Sequence, residues 1–294
     1  MKERVFTGVG TALITPFRDG KVDEDAFVRL MEFQIREGAA ALIVAGTTGE
    51  GSTLSSEEHA RLVALAVETV KGRVPVIVGT GSNDTAAAIR KTRTACEVGA
   101  DAVLLVTPYY NKTTQRGLIA HYRAIADASD KPCILYNVPS RTGLNMLPET
   151  VAALADHPRI AAVKEASGNI SQAARIRRLC GDEIALYSGN DDQTLPMLSL
   201  GAQGVISVAS NVLPREMCQL CALWFAGKIR EAEQMQIRLL DVMNALMSET
   251  NPIPVKAVCA RMGYGKNEVR LPLVPLEADK THAIARMIEE ARLG

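Results

Sequence analysis

Eight short runs dominated by Val, Ile, Leu and Ala recur along the first three-quarters of the chain, and they limit its fold more than any other feature. They read "VGTALITPF" (9–17), "AALIVAGTTGE" (40–50), "VPVIVGTGS" (74–82), "DAVLLVTPYY" (101–110), "KPCILYNVPS" (131–140), "RIAAVKEASG" (159–168), "EIALYSGND" (183–191) and "AQGVISVASN" (202–211). Strands that are apolar along their whole length are strands covered on both faces. The segments between them, such as "EEHARLVALAVETVKG", carry apolar residues at helical spacing. Ser55 with Glu58 fits a capping box, Asp84 can cap the next helix, and Gly38, Gly72 and Gly99 stand where helices should stop. Eight strand–helix units predict an α/β fold, the (β/α)8 TIM barrel. A doubly wound open sheet would want a glycine-rich phosphate turn, and Gly8-x-Gly10 and Gly79-x-Gly81 are only fragments of one.

Past residue 213 the strand signals stop. The stretch "KIREAEQMQIRLLDVMNALM" (228–247) is amphipathic, and "LEADKTHAIARMIEEARLG" reads as a last helix. The expected division is a catalytic barrel over 1–227 and a C-terminal helical extension over 228–294, packed on the barrel without a flexible linker.

In such barrels the chemistry sits where strands end, at the C-terminal face. Strand two ends in Gly46-Thr47-Thr48-Gly49-Glu50, strand five in Tyr136-Asn137-Val138-Pro139-Ser140-Arg141, and strand six in Lys164-Glu165. Side chains alternate along a strand. If Ile160 and Ala162 face the barrel interior, Lys164 does too, and Glu165 faces the helices. Tyr136 then lies beside Lys164, with Thr47 and Thr48 across the mouth. Burial lowers an amine's pKa, and a neutral amine condenses with a ketone or aldehyde to give a Schiff base. The hydroxyls of Tyr136 and Thr47 can carry the protons this requires, and the amides of 46–49 can hold a carboxylate. The alternative for Lys164 taken alone is a strand-end charge paired with a carboxylate.

Other classes of function fit less well. The formal net charge is zero, which argues against nucleic acid or an anionic membrane as partner. Apolar runs stop well short of a membrane span, and the N-terminus does not read as a signal peptide, so a cytoplasmic location is expected. The six cysteines lie in apolar contexts as buried thiols would, and Cys218-x-x-Cys221 lacks a second ligand pair. The four histidines (His59, His121, His157, His282) fall in or beside helical stretches, where solvent-facing or capping roles are expected. None ends a strand, which removes most metal-dependent hydrolase readings.

The motifs "LIVAGTTGEGSTLSSEE" and "LYNVPSRTG…VKEASG", in this order, resemble the dihydrodipicolinate synthase/N-acetylneuraminate lyase family of class I aldolases across essentially the whole chain. Within it the resemblance runs to the branch that condenses pyruvate with L-aspartate 4-semialdehyde. It implies a pyruvate Schiff base on Lys164, with Tyr136 taking part in proton transfer and no separate cofactor or metal. It also implies that Thr47 links Tyr136 to Tyr110, a tyrosine reaching in from a neighbouring subunit of a homotetramer built as a dimer of dimers. Thr48 would hold the pyruvate carboxylate, Gly189 and Ile206 would line the pocket, and Arg141 would receive the carboxylate of the aldehyde. Arg141 suits a short substrate with its own carboxylate better than a polyhydroxylated sugar acid, which favours this branch over another pyruvate-dependent aldolase of the family. Lysine-inhibited members bind lysine near the positions of Ser52, Ser56, His59, Asn83, Ala87 and Tyr109. Ser56 and Ala87 replace the His and Glu usual in sensitive enzymes, so weak or absent lysine feedback is expected.

Overall fold

The computed structural model describes residue 2 and residues 4–293. Eight parallel strands close into a barrel: β1 (Gly8–Ala12), β2 (Ala41–Val44), β3 (Val76–Gly79), β4 (Ala102–Val106), β5 (Cys133–Asn137), β6 (Ile160–Glu165), β7 (Ala185–Ser188) and β8 (Gly204–Ser207). Each strand pairs with its sequence neighbours, and β8 pairs back to β1 with Gly10 opposite Ile206. Helices such as Glu24–Arg36, Ser56–Val70, Thr85–Val98 and Gln115–Asp127 alternate with the strands, as the apolar runs predict.

The alternation of the strands sorts their side chains into two cores. Ala41, Ile43, Ile77, Ala102, Leu104, Ile134, Ala162 and Ile206 fill the barrel, while Leu42, Val44, Val76, Val103, Leu135 and Val163 meet the helices. The helix starts follow from the caps. Ser55 Oγ accepts from the Glu58 amide (3.2 Å) while Glu58 returns a carboxylate to the Ser55 amide (2.9 Å), which satisfies two otherwise orphaned donors. Asp84 caps the next helix by accepting from the Ala86 amide (2.9 Å), and Gly99 ends it in a left-handed conformation.

One expectation about facing needs correction. Ile160 does not point into the barrel. Between the first two pairs of β5 and β6 the register slips, from Cys133 opposite Ile160 to Ile134 opposite Ala162. The extra residue, Ala161, lets Ile160 join the outer core while Ala162 and everything after it keep the inward phase.

Phe6, just ahead of β1, stacks on Tyr187 of β7 (4.3 Å between ring centroids) and accepts its hydroxyl (2.7 Å). Both rings are buried and close the barrel on the side away from the strand ends. After β8 the chain continues in helices Pro214–Phe225, Ile229–Ala245, Ile253–Arg261 and Ala278–Leu293. Leu239, Val242, Val255, Val258 and Ile284 join the outer core, so the tail packs on the barrel. Among the described residues no helix is long and apolar enough to cross a membrane.

Candidate active site

The side chains expected to carry chemistry stand at the C-terminal ends of the strands. Tyr136 on β5 lies directly opposite Lys164 on β6, and the Lys164 Nζ sits 4.2 Å from the centroid of the Tyr136 ring. Lys164 is only 5% exposed. Burial drives its pKa down from the ordinary 10.5 to about 7, helped by the nearby positive charge of Arg141 and opposed by Asp191. Near neutrality about half of such amines are free, against fewer than about one in a thousand for an ordinary lysine. Burial pushes the Tyr136 phenol up from its usual value, while Arg141 and the Thr47 hydroxyl pull the other way.

Glu165, the next residue, faces the helices as alternation requires and is occupied there. Its carboxylate accepts from Asn137 Nδ2 (3.0 Å), the Ser167 amide (2.7 Å) and Gln172 Nε2 (3.2 Å). It therefore offers nothing to Lys164, and among the described residues the lysine forms no ion pair. The acidic influence on the amine comes from Asp191, just beyond β7, a residue to which the sequence alone assigns no role. Asp191 Oδ2 accepts from the Val208 and Ala209 amides (3.0 and 2.9 Å), and burial raises its carboxyl above the usual value. The available sequence signal was an acid two residues past Gly189 at a strand end.

Gly189 has a steric reason to be glycine. A Cβ there would come within 2.6 Å of Ala166 Cβ and 3.1 Å of Lys164 Cε, in the space the lysine side chain uses. Ile206 is fully buried in the barrel interior.

A cavity of about 260 Å³ opens at the mouth, lined by Thr47, Tyr136, Arg141, Val138, Leu104 and Tyr109 among others. Its floor loop is tightly folded. Ala45 and Glu50 both adopt positive φ (54° and 52°), Gly51 donates to the Gly46 carbonyl (3.1 Å), and Thr15 Oγ1 ties down the Gly49 carbonyl (2.7 Å). Two left-handed non-glycine residues in six positions is backbone strain of the kind that collects at functional sites. Among the described residues no acceptor takes the Thr47 or Thr48 amide. Thr47 is exposed into the mouth and Thr48 is buried behind it.

The structure does not bring Tyr110 into this cavity. Its side chain is 91% exposed, on a backbone held at φ 67°, and Tyr109 lines the mouth instead. Of the other family-derived positions, Ser52 lines the mouth beside Tyr109, while Asn83 belongs to a separate surface hollow with Asn111 and His121. The histidines also differ from expectation. His59, His121 and His157 are buried and bonded to the Gly79 carbonyl, the Thr85 hydroxyl and Asp127, and His282 alone faces solvent. All six cysteines are free, and burial pushes the Cys218 thiol up to about 12, far from a reactive thiolate.

The sequence profile of the Dihydrodipicolinate synthetase family matches residues 5–291. The chain belongs to that family. It is 54% identical to the 4-hydroxy-tetrahydrodipicolinate synthase of Geotalea uraniireducens over 286 residues, covering 97% of this chain and 99% of the relative. The crystal structure of dihydrodipicolinate synthase from Thermotoga maritima superposes with a TM-score of 0.96 at 44% identity, covering 99% and 100% of the two chains. The chloride-inhibited dihydrodipicolinate synthase from Acinetobacter baumannii, solved in complex with pyruvate, gives a TM-score of 0.95 at 39% identity, covering 98% and 99%. The family assignment joins the barrel, the inward lysine and the tyrosine beside it into a single account.

Proposed function

We propose that this chain condenses pyruvate with L-aspartate 4-semialdehyde to 4-hydroxy-tetrahydrodipicolinate, through a Schiff base on Lys164. The observation that carries the reading is an amine buried against Tyr136 at the mouth of a barrel, with its pKa brought down to about 7. The neutral Nζ attacks the pyruvate ketone, and the carbinolamine loses its oxygen as water after protonation. Tyr136, with Thr47 beside it and Tyr110 supplied by a neighbouring subunit, relays those protons. Loss of a methyl proton from the imine leaves an enamine whose carbon attacks the aldehyde. The amine of the second substrate then takes over the imine carbon and frees Lys164. The imine is itself the electron sink, so the reaction asks for no metal or organic cofactor.

Thr48 and the free amides of the Gly46–Glu50 loop hold the pyruvate carboxylate, with Gly189 and Ile206 shaping the pocket around it. Arg141, exposed at the rim of the mouth cavity, receives the carboxylate of the aldehyde. A guanidinium there favours a short anionic aldehyde over a polyhydroxylated sugar acid. The barrel over 1–227 carries the catalytic groups and 228–294 completes the fold.

The working unit is a homotetramer of tight dimers in the cytoplasm. An aromatic side chain held almost wholly in water on a left-handed backbone, as Tyr110 is, supports a partner surface. Free thiols throughout fit a reducing compartment.

Incubation with pyruvate and borohydride should add the mass of a reduced pyruvyl group at Lys164, and its absence would sink the whole scheme. Arg141→Ala should keep this trapping while turnover with L-aspartate 4-semialdehyde falls by about two orders of magnitude, the worth of a charge-assisted hydrogen-bonded pair. Retained turnover would refute the role given to Arg141.

A further inference from the structure

The C-terminal region reaches back to the strand-end loop after β2 at three points, from the turn at Asn251, the helix Ile253–Arg261 and the loop at Arg270. Arg270 donates its amide to Glu50 Oε2 (2.9 Å) and clamps Glu58 with both terminal nitrogens (2.5 and 2.6 Å). Lys256, fully buried over the face of Phe17, pairs with Glu50 Oε1 at 2.5 Å. The third contact touches the groups read above as carboxylate ligands. Asn251, 5% exposed, donates from Nδ2 to Thr48 Oγ1 (2.9 Å), and its backbone carbonyl accepts from an Arg141 terminal nitrogen (3.4 Å). One residue outside the barrel thus braces both anion-binding side chains.

We propose that Asn251 is a positioning residue for pyruvate. It acts through Thr48, and the inference therefore rests on the assignment of Thr48 to the pyruvate carboxylate. A threonine hydroxyl has one proton and two lone pairs. With the Asn251 amide donating to the oxygen, the hydroxyl is used as an acceptor on that side. Its proton is left to point at an incoming carboxylate. The second amide atom agrees with this direction, because Asn251 Oδ1 is buried and, among the described residues, has no hydrogen-bond partner, the Thr48 hydroxyl included. A buried amide oxygen left unpaired costs stability, and groups of this kind are kept where a site needs them. The Lys256–Glu50 pair fixes the helix that starts two residues after Asn251, so the donor is held at a constant depth.

Four variants test this. Asn251→Ala removes the donor and should raise the pyruvate KM about tenfold, with kcat changed much less. Asn251→Asp keeps size and shape but reverses the hydrogen bond. It turns the Thr48 proton toward itself and sets a negative charge beside the substrate carboxylate, so the KM should rise about a hundredfold, consistent with the worth of hydrogen bonds to charged groups. A purely structural role predicts the opposite order, since Asp fits the site better than Ala. In a Thr48→Val background, Asn251→Ala should add less than twofold, because the group it orients is already gone. Borohydride trapping at saturating pyruvate should go to completion in every variant, which shows that each is folded. An Asp variant milder than Ala, or full additivity with Thr48→Val, overturns the inference and leaves the proposed reaction standing. An unchanged pyruvate KM in Thr48→Val alone overturns the inference and the assignment of Thr48 together.

Discussion

Replacing the buried amine by a thioether, Lys164→Met, should make the protein more stable while abolishing pyruvate trapping. Lys164 titrates at 10.5 in the unfolded chain and at about 7 in the folded one. Between those values the unfolded chain holds a proton that the folded chain lacks, so stability climbs as pH rises from about 7 to 10.5. Read downward, the folded state loses about 1.4 kcal/mol per pH unit over that window and nothing further below about 7. The accumulated cost near neutrality is about 4 to 5 kcal/mol. Methionine removes the titration and keeps an unbranched chain of similar bulk in the space Gly189 leaves open. The difference between the two proteins should therefore be largest at and below pH 7, and should shrink toward zero near pH 10. Lys256, also lowered by burial, to about 8, is present in both and cancels in the comparison. Losing the Lys164 charge lets the Asp191 carboxyl rise further, so the same comparison in an Asp191→Asn background isolates the lysine. The assay is urea unfolding without pyruvate at matched protein concentration, at pH 6, 7, 8 and 9. A stability difference that is flat from pH 7 to 9 would mean that the folded amine keeps its proton, and the argument for a reactive Lys164 would fail with it.

Other substitutions probe the surroundings. Gly189→Ala should fold, since a single methyl is added, yet lose most pyruvate trapping because its Cβ falls on Lys164 Cε and Ala166; trapping at the wild-type rate would show that the lysine does not need that space. Lys256→Met leaves the buried Glu50 side chain, among the described residues, with the Arg270 amide as its only partner, and should cost about 3–5 kcal/mol in urea unfolding. Adding Glu50→Gln should recover much of that loss, and a cost below about 1 kcal/mol in the single variant would show that water reaches the pair. L-lysine at millimolar concentration should inhibit turnover weakly or not at all, because Ala87 offers no carboxylate to its ammonium group. Strong inhibition would refute that reading.

The barrel was legible because each strand announces itself as an unbroken apolar run, and eight such runs separated by helical spacing admit few other closures. Lys164 and Tyr136 were legible for a related reason: alternation along β5 and β6 fixes which face each side chain takes, and the observed register sets the two opposite each other. Ile160 escaped that logic because one extra backbone residue reverses the facing before it, and nothing in "RIAAVKE" marks where the strand bulges. Solvent-facing or capping roles are the expectation for His59, His121 and His157, yet each is buried on a specific acceptor or donor, a matter of tertiary neighbours that periodicity does not encode. Asp191 and Asn251 were hidden for a third reason. Each acts on the site through residues distant in sequence: Asp191 through amides 17 and 18 positions on, and Asn251 through a threonine 203 positions back.

That last separation has a bearing on how the protein comes into being. A chain emerging from the ribosome would form the Gly46–Glu50 loop early and would have Lys164 and Tyr136 adjacent once β6 is laid down. Thr48 would still lack its orienting partner, and Glu50 its counter-charge, until the segment from Asn251 to Arg270 had been made and docked. The site is in this sense sealed from the wrong end of the sequence. A partly folded barrel would own the reactive amine without the finished anion cradle, and would hold pyruvate more weakly until that segment had docked.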